Sequence, residues 1–210
     1  MATSRNRTER WHRYWDKHAR TYDREMKVAD RLLFGDSRPW ACSRAVGKTL
    51  EVAVGTGLNF PSYPEEIDLT GVDLSEEMLA IARKRADELG RDVELRQANA
   101  HELPFDDASF DTVVCTLGLC TIPDPETAIA EMYRVTRPGG RLILVDHIEG
   151  GAWPVRLIQR GIELVSVPLG GEHFLRRPLR LARAAGYTID TRERFKLGIV
   201  ERLVAAKPQE

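Results

Sequence analysis

The apolar and polar positions of the chain fall into alternating blocks that predict helices and strands in turn. Residues 7–45 are charged, carry aromatic side chains at helical spacing and hold no glycine before Gly35, which predicts a helical N-terminal segment. Apolar or alternating runs then predict strands at 49–54, 68–73, 92–97, 110–117 and 141–146. Among them, helices are predicted at 75–89, capped by Ser75 and stopped by Gly90, and at 124–136. Two helices and two strands complete the prediction, at 154–165, 175–185, 188–194 and 198–205.

Strands that alternate with helices indicate right-handed crossover connections and a parallel sheet. The chain shows neither a linker nor an internal repeat. We therefore predict one α/β domain over residues 1–210, a Rossmann-like fold with a mostly parallel seven-stranded sheet and helices on both faces. Its three parts would be an N-terminal helical lid at 1–45, a cofactor-binding core at 46–150, and substrate-side helices with the last strands at 151–210.

The composition of the 210 residues, 42% hydrophobic and 30% charged, is typical of a globular domain rather than a disordered chain. The basic N-terminus has no apolar run behind it, which argues against a signal peptide, and no run of about 18 apolar residues predicts a membrane span. Three cysteines without a C-x-x-C pair indicate free thiols, so we expect a cytoplasmic protein without a metal site.

The net charge of −1 conceals an uneven distribution along the chain. Residues 1–45 and residues 151–210 each hold eleven Lys and Arg against six Asp and Glu, whereas residues 46–150 hold nine against twenty. One interpretation is that these charged side chains only lie on solvent-exposed faces of helices. The alternative is that both basic ends meet an anionic substrate or a membrane surface, to which the protein would be peripheral.

The stretch TLEVAVGTGLNF at 49–60 combines a predicted strand with a glycine loop. It does not fit the dinucleotide pattern G-x-G-x-x-G, because Ala53 and Leu58 stand where two of the glycines would be. Gly55 and Gly57 still allow a close approach of the backbone to a ligand. Asp73 follows Glu51 by 22 residues, at the end of the second strand, where an acid can bind a ribose diol. The alternative is a sheet turn that simply needs small residues.

Four stretches in order resemble the motifs of class I S-adenosylmethionine-dependent methyltransferases. They are EVAVGTG at 51–57, GVDLSEEML at 71–79, ANAHELPFDDASFD at 98–111 and RVTRPGGRLIL at 134–144. The resemblance covers about residues 14–148. It is nearest to the branch of quinone-ring, phospholipid N- and lipophilic-thiol methyltransferases, which the segment LRRPLRLARAAGYTIDTRERF also resembles.

The resemblance implies that the chain binds S-adenosylmethionine and releases S-adenosylhomocysteine. Glu51 would orient the ammonium, Asp73 would accept from the ribose hydroxyls, and Leu117 would line the methionine tail. The other implied cofactor-binding residues are Ala53, Gly55, Thr56 and Gly57 in the loop, Leu74, Met78, Asn99 and Ala100 around adenine, and Tyr14 and Tyr22 in the lid. Two residues depart from the family pattern. Ala53 replaces a glycine, which is tolerable if its φ is negative, and Asn99 stands where the family often has Asp.

Methyl transfer is an in-line displacement, so the site must align two reactants and exclude water. A thiol or phenol acceptor also needs a nearby base. His147, which ends the fifth predicted strand, is the weak candidate for this role, and His173 and Tyr14 are weaker ones. The alternative for each is a packed or exposed residue without a catalytic role.

The acceptor is expected to be small and lipophilic, a quinone-type ring or a thiol ahead of a phospholipid amine. The loop 117–123 is apolar apart from Thr121, and the helix from 154 carries apolar residues expected to border the methyl donor: Val155, Leu157, Ile158, Ile162 and Val165. Cys120 is interpreted as a wall of this pocket. Arg176 and Arg177 would either bind a phosphate group or be exposed to solvent.

Two other functional classes are open at this point. A nucleic-acid methyltransferase is disfavoured, because TLGLCTIPDP after the fourth strand lacks the Asn/Asp-Pro-Pro-aromatic motif, so no nucleic-acid partner is expected. A protein that binds S-adenosylmethionine without catalysis would keep the same cofactor residues. The oligomeric state and the methylated atom do not follow from the sequence.

Overall fold

The computed structural model describes the backbone of residues 2–209 and the side chains of residues 11–209. Residues 1 and 210, the ends of the predicted domain, lie outside it. The strands are β1 (Lys48–Val52), β2 (Asp68–Asp73), β3 (Glu94–Gln97), β4 (Phe110–Thr116), β5 (Thr136–His147), β6 (Thr188–Phe195) and β7 (Val200–Ala206). The helices are α1 (Ala2–Ala29), α2 (Ser37–Cys42), α3 (Glu76–Leu89), α4 (Pro125–Val135), α5 (Trp153–Gly170) and α6 (Pro178–Ala184).

The seven strands form one sheet in the order β3-β2-β1-β4-β5-β7-β6. β1 to β5 are parallel, and β7 runs antiparallel between β5 and β6. This arrangement confirms the predicted mostly parallel Rossmann-like sheet. The carboxyl ends of β1, β2 and β4 meet at one edge, which is where such sheets bind ligands. No helix within residues 2–209 is long and apolar enough to cross a membrane.

Both faces of the sheet are covered by helices with apolar inner sides. On one face, α4 and α6 pack on strand residues such as Leu50, Val113 and Leu142. On the other, α2 and α3 pack on Val114 and Ile143. The near-continuous apolar runs of β1, β4 and β5 follow from this double burial, since both sides of each strand face the core.

Several element boundaries differ from the prediction, and β5 begins at Thr136 rather than at 141. The N-terminal helical segment is divided after α1 by a π-helical turn (Asp30–Phe34) and by Gly35, whose φ is 58°. α5 is longer than predicted. α6 is shorter and begins at Pro178, because a proline disfavours helical backbone in the residue before it.

Candidate functional site

A cavity opens at the carboxyl edge of the sheet, between the loops after β1, β2 and β4, and α1 covers it. Nine of the thirteen residues implied for cofactor binding line it: Tyr22, Ala53, Gly55, Asp73, Leu74, Met78, Asn99, Ala100 and Leu117. Four others do not, namely Tyr14, Glu51, Thr56 and Gly57. Lining residues without an individual prediction include Trp11, Trp15, His101 and Gly118. The two tryptophans belong to the aromatic stripe of α1, whose helical spacing is visible in the sequence and which consists of Trp11, Tyr14, Trp15, His18 and Tyr22. His101 lies in the stretch 98–111 that resembles a family motif, but no role was predicted for it.

Asp73 is the acid at the cavity wall. Its Oδ2 accepts a hydrogen bond from the backbone N–H of Gly55 (2.8 Å), and its Oδ1 accepts from the backbone N–H of Ser75 (2.9 Å). Burial raises the pKa of Asp73, although these backbone hydrogen bonds act in the opposite direction. Each oxygen keeps a lone pair for a further donor. The carboxylate is therefore fixed in position and able to accept from a ligand hydroxyl.

The glycine loop meets the lid at Gly55. A Cβ at Gly55 would lie 3.8 Å from Cε1 of Tyr22, so the tyrosine ring covers the loop backbone. Ala53 has a φ of 57°, so the condition under which alanine was expected to be tolerable is not met, and its backbone is strained. Leu117, opposite in the β4 loop, also has a φ of 57°. Two non-glycine residues with positive φ thus flank the cavity, a kind of strain that clusters at functional sites.

Thr56 and Gly57 have roles in packing outside the cavity. The Oγ1 of Thr56 donates to Oδ1 of Asp23 (2.6 Å), which ties the loop to α1. A Cβ at Gly57 would lie 2.4 Å from the ring of Phe60, and its φ is 77°. The second glycine of the loop is thus explained by tight packing against Phe60.

Glu51 lies in β1, directly before the lining residues Val52 and Ala53, and is 1% exposed. Its Oε1 accepts from Nδ2 of Asn59 (2.7 Å), which also donates to Oγ1 of Thr116 (2.8 Å). Its Oε2 has no hydrogen-bond partner among the described residues. Burial raises the pKa of Glu51 to about 7, although the nearby Tyr63 and Asn59 act against this. An unsatisfied buried carboxylate oxygen is suited to a cationic partner.

The adenine end of the proposed site has an apolar side and a polar edge. Met78 is buried and Leu74 half-buried, and both line the cavity. The Oδ1 of Asn99 accepts from the backbone N–H of His101 (3.0 Å), which fixes the amide. A carbonyl oxygen has two lone pairs, so this amide can still accept from an amino group.

Side chains of α1 attach the lid to the core. Oγ of Ser75, the N-cap of α3, donates to Oδ1 of Asp16 (2.5 Å), and Asp23 also forms an ion pair with Arg85. Tyr14 lies outside the cavity, where it stacks on His18 with a centroid distance of 3.9 Å. α1 thus both docks against the core and covers the cavity.

His147 belongs to a buried cluster beside the cavity. Its Nε2 is 3.1 Å from Oε1 of Glu172, its ring stacks on Phe174, and its Nδ1 has no hydrogen-bond partner among the described residues. Burial by itself lowers the pKa of His147, but Glu172 and Asp146 outweigh it and raise the pKa. His147 does not line the cavity, so the structure leaves its role as a base a prediction.

Cys120 completes this cluster. Cys120, His147 and Glu172 bring possible ligand atoms within 4.8 Å of one another, an arrangement that the cysteine count did not indicate. Burial raises the pKa of the Cys120 thiol well above its usual range. The thiol is therefore protonated, and it donates to the carbonyl of Leu117 (3.3 Å). His173, the other histidine considered, donates its backbone N–H to the carbonyl of Cys120 (2.9 Å).

The two arginines considered for phosphate binding have partners in the chain. Arg176 donates to the backbone carbonyls of Leu119 and Ile122, and so holds the β4–α4 loop. Arg177 forms an ion pair with Glu149. Arg176 is thus engaged in positioning this loop.

The apolar residues of α5 are not where the sequence placed them. Of those expected beside the methyl donor, Leu157, Ile158, Ile162 and Val165 are exposed, and Val155 contacts Gly150. None of the five lines the cavity. The periodicity identified an apolar face correctly but gave no information about which way it points.

The residues around the cavity fit S-adenosylmethionine. The lone pairs of Asp73 suit its ribose diol, and Gly55 leaves the backbone open to it. Glu51 is buried directly before the lining residues Val52 and Ala53, and its Oε2 has no hydrogen-bond partner among the described residues. Leu74 and Met78 offer the apolar surface that an adenine face needs.

Comparison with known proteins agrees with this geometry. Residues 50–144 match the family model "Methyltransferase domain". The chain is 41% identical over 126 residues to a phosphatidylethanolamine N-methyltransferase of Cereibacter sphaeroides, which covers 59% of this chain and 62% of that protein. It is 30% identical over 174 residues to the ubiquinone/menaquinone biosynthesis C-methyltransferase UbiE of Cronobacter sakazakii, covering 72% and 69%. The chain therefore spans somewhat less than two thirds of the first of these relatives.

A solved structure shares the whole architecture. A SAM-dependent methyltransferase of Thermotoga maritima superimposes with a TM-score of 0.71 at 26% identity, and the alignment covers 94% of this chain and 99% of that one. The strand order, the acid after β2 and the sequence relatives thus agree. The chain belongs to the class I S-adenosylmethionine-dependent methyltransferases.

Proposed function

We propose that the protein transfers a methyl group from S-adenosylmethionine to a small lipophilic acceptor. The observation that carries this proposal is Asp73, held at the cavity wall by Gly55 and Ser75 with lone pairs free for a ribose diol. When bound, the cofactor supplies a methyl group activated by its sulfonium. Glu51, buried directly before the lining residues, would orient the ammonium directly or through water. The rings of Trp15 and Tyr22 cover the site and exclude water.

The preferred acceptor is a quinone-type ring, in line with the UbiE relative named for quinone biosynthesis, or a thiol. For such an acceptor His147 is the proposed base. Because Glu172 engages its Nε2, the neutral tautomer has Nδ1 free to accept a proton. A phospholipid amine is the second candidate, favoured by the 41% identity to a phosphatidylethanolamine N-methyltransferase.

The test is a turnover assay with the purified full chain and one acceptor at a time: a reduced prenyl-naphthoquinone, an alkyl thiol, or phosphatidylethanolamine in vesicles. S-adenosylhomocysteine release and the mass of the methylated product are measured. We expect product with at least one lipophilic acceptor and none without acceptor. Cofactor binding without any product would favour the non-catalytic alternative, and turnover of only strongly polar acceptors would overturn the lipophilic class.

A further inference from the structure

The outer face of α5 is apolar. Six large apolar side chains on this helix are at least 60% exposed: Trp153, Leu157, Ile158, Leu164, Val165 and Leu169. They recur at helical spacing and share one side of the 18-residue helix. Contiguous exposed apolar surface of this kind marks an interaction site.

The inner face of the same helix is polar. Gln159 is buried and donates to the carbonyl of Ile148 (2.8 Å). Oε1 of Glu163 accepts from the backbone N–H groups of Phe174 (2.7 Å) and Leu175 (2.9 Å). α5 is therefore inverted relative to a helix that packs into a core, and buried polar side chains on its inner face attach it to the protein by hydrogen bonds.

Arginines surround the N-terminal end of this helix. A second cavity there is lined by Arg156, Arg177, Arg180, Arg192 and Arg194, together with Glu149 and Glu201. The two acids pair with four of these arginines. Arg180 there, and Arg160 at the edge of the apolar face, have no ion-pair partner among the described residues. The one acid of α5, Glu163, faces inward, so the exposed side of the helix is apolar and basic.

The C-terminal end of α5 reaches the lid. A Cβ at Gly170 would lie 2.9 Å from the ring of Tyr14, and one at Gly171 would lie 2.8 Å from the ring of Trp11. Trp11 lines the cofactor cavity. The C-terminal end of α5 thus contacts the elements that cover the site, on the buried side of the helix.

We propose that α5 is a docking helix that lies flat on an anionic lipid bilayer. Its apolar side chains would insert at the boundary between headgroups and acyl chains, as amphipathic interfacial helices do, and the arginines at its N-terminal end would bind lipid phosphates. The combination of an apolar face with unpaired cations and no outward acid favours this occupant over a second copy of the chain, because a two-fold contact of this face with itself would bring arginines against arginines. The inference goes beyond methyl transfer, because docking requires neither cofactor nor acceptor.

Co-sedimentation with phosphatidylcholine vesicles that contain phosphatidylglycerol tests this directly. The full chain should bind at low salt, and rising salt should weaken binding because surface charges are screened. The double variant Ile158→Asp/Leu164→Asp should bind at least about tenfold more weakly, since two inserted apolar side chains are lost. Replacing Arg160 or Arg180 by Ala should weaken binding about fivefold each.

Leu89→Asp is the matched control. Leu89 is a 46% exposed leucine at the end of α3. α3 follows β2 and ends at the amino edge of the sheet, whereas α5 follows β5 and begins at the carboxyl edge. This variant should bind vesicles like the unmodified chain. Wild-type protein that does not bind at low salt, or a double variant that binds as well as Leu89→Asp, would overturn the proposal. So would a dimer, detected by analytical ultracentrifugation, that the double variant dissociates, because a second copy would then cover the face.

Discussion

Helices α4 and α5 are both amphipathic, yet they are oriented in opposite ways. α4 turns Ala128, Ile129, Met132 and Val135 into the core, as a helix next to a sheet should. α5 turns its large apolar residues outward and buries Gln159. Packing in the core therefore explains the apolar pattern of α4. Packing within the chain does not explain the apolar pattern of α5. The difference shows that an amphipathic pattern alone does not establish which face is the core.

Shortening one isoleucine in each helix should affect stability very differently. Ile129 is 1% exposed and Ile158 is 65% exposed. Ile129→Ala should lower the free energy of unfolding by about 2–5 kcal/mol, because it leaves a cavity in the core. Ile158→Ala should stay within about 0.5 kcal/mol of the unmodified protein. Chemical denaturation measures both, and equal losses would show that α5 is part of the core after all.

The helix α1 combines features of α4 and α5, because polar side chains attach it to the core and its aromatic stripe covers the cavity. Deleting residues 1–30 should leave a folded sheet with turnover reduced at least about a hundredfold, since alignment of the reactants and exclusion of water are lost. Circular dichroism and denaturation provide the control for folding. Normal turnover by a folded, truncated chain would refute the role of α1 as a lid.

Glu51 is a buried acid in the core, and one of its carboxylate oxygens has no hydrogen-bond partner among the described residues. With a pKa of about 7 in the folded chain against 4.5 ordinarily, the folded state holds the proton more tightly. The free energy of unfolding without ligand should therefore fall as pH rises from 4.5 to about 7.

The same group should make cofactor affinity depend on pH. Affinity should rise through about pH 7 as Glu51 ionises, and fall above about 8 as an α-amino group loses its proton. In Glu51→Gln the rising part should disappear. Titration calorimetry across this pH range measures the effect, and an unchanged rise in the variant would exclude Glu51 as the ammonium partner.

Ala53 should give the smallest effect. Ala53→Gly relieves about 1–2 kcal/mol of left-handed strain, offset by about 0.5–1 kcal/mol of extra freedom in the unfolded chain, so we expect a gain of up to about 1.5 kcal/mol. Ala108→Gly is the control, because Ala108 has a φ of 55° on an exposed turn. Both variants should be stabilised similarly, but only Ala53→Gly should change cofactor affinity. If Ala108→Gly also changed cofactor affinity, the effect of Ala53→Gly could not be assigned to the position of Ala53 at the cavity.

Much of the fold could be predicted because burial on both sides leaves continuous apolar runs in β1, β4 and β5. The acid after β2 and the glycine loop were visible for a similar reason, since sheet topology fixes where a ligand binds. The φ of Ala53, the outward face of α5 and the cluster around His147 could not be predicted. Each depends on contacts between residues distant in the chain, such as Glu172 with His147.

Titration calorimetry of S-adenosylmethionine against the wild-type chain and two aspartate variants tests the assignment of the cavity to the cofactor. Asp73 is held at the cavity wall, whereas Asp87 is exposed on α3. We predict one site in the wild type, at least about tenfold weaker binding in Asp73→Ala from the loss of about 1.5–3 kcal/mol, and unchanged binding in Asp87→Ala. Absence of binding by the wild type, or equal affinity in Asp73→Ala, would contradict the assignment of this cavity to the cofactor.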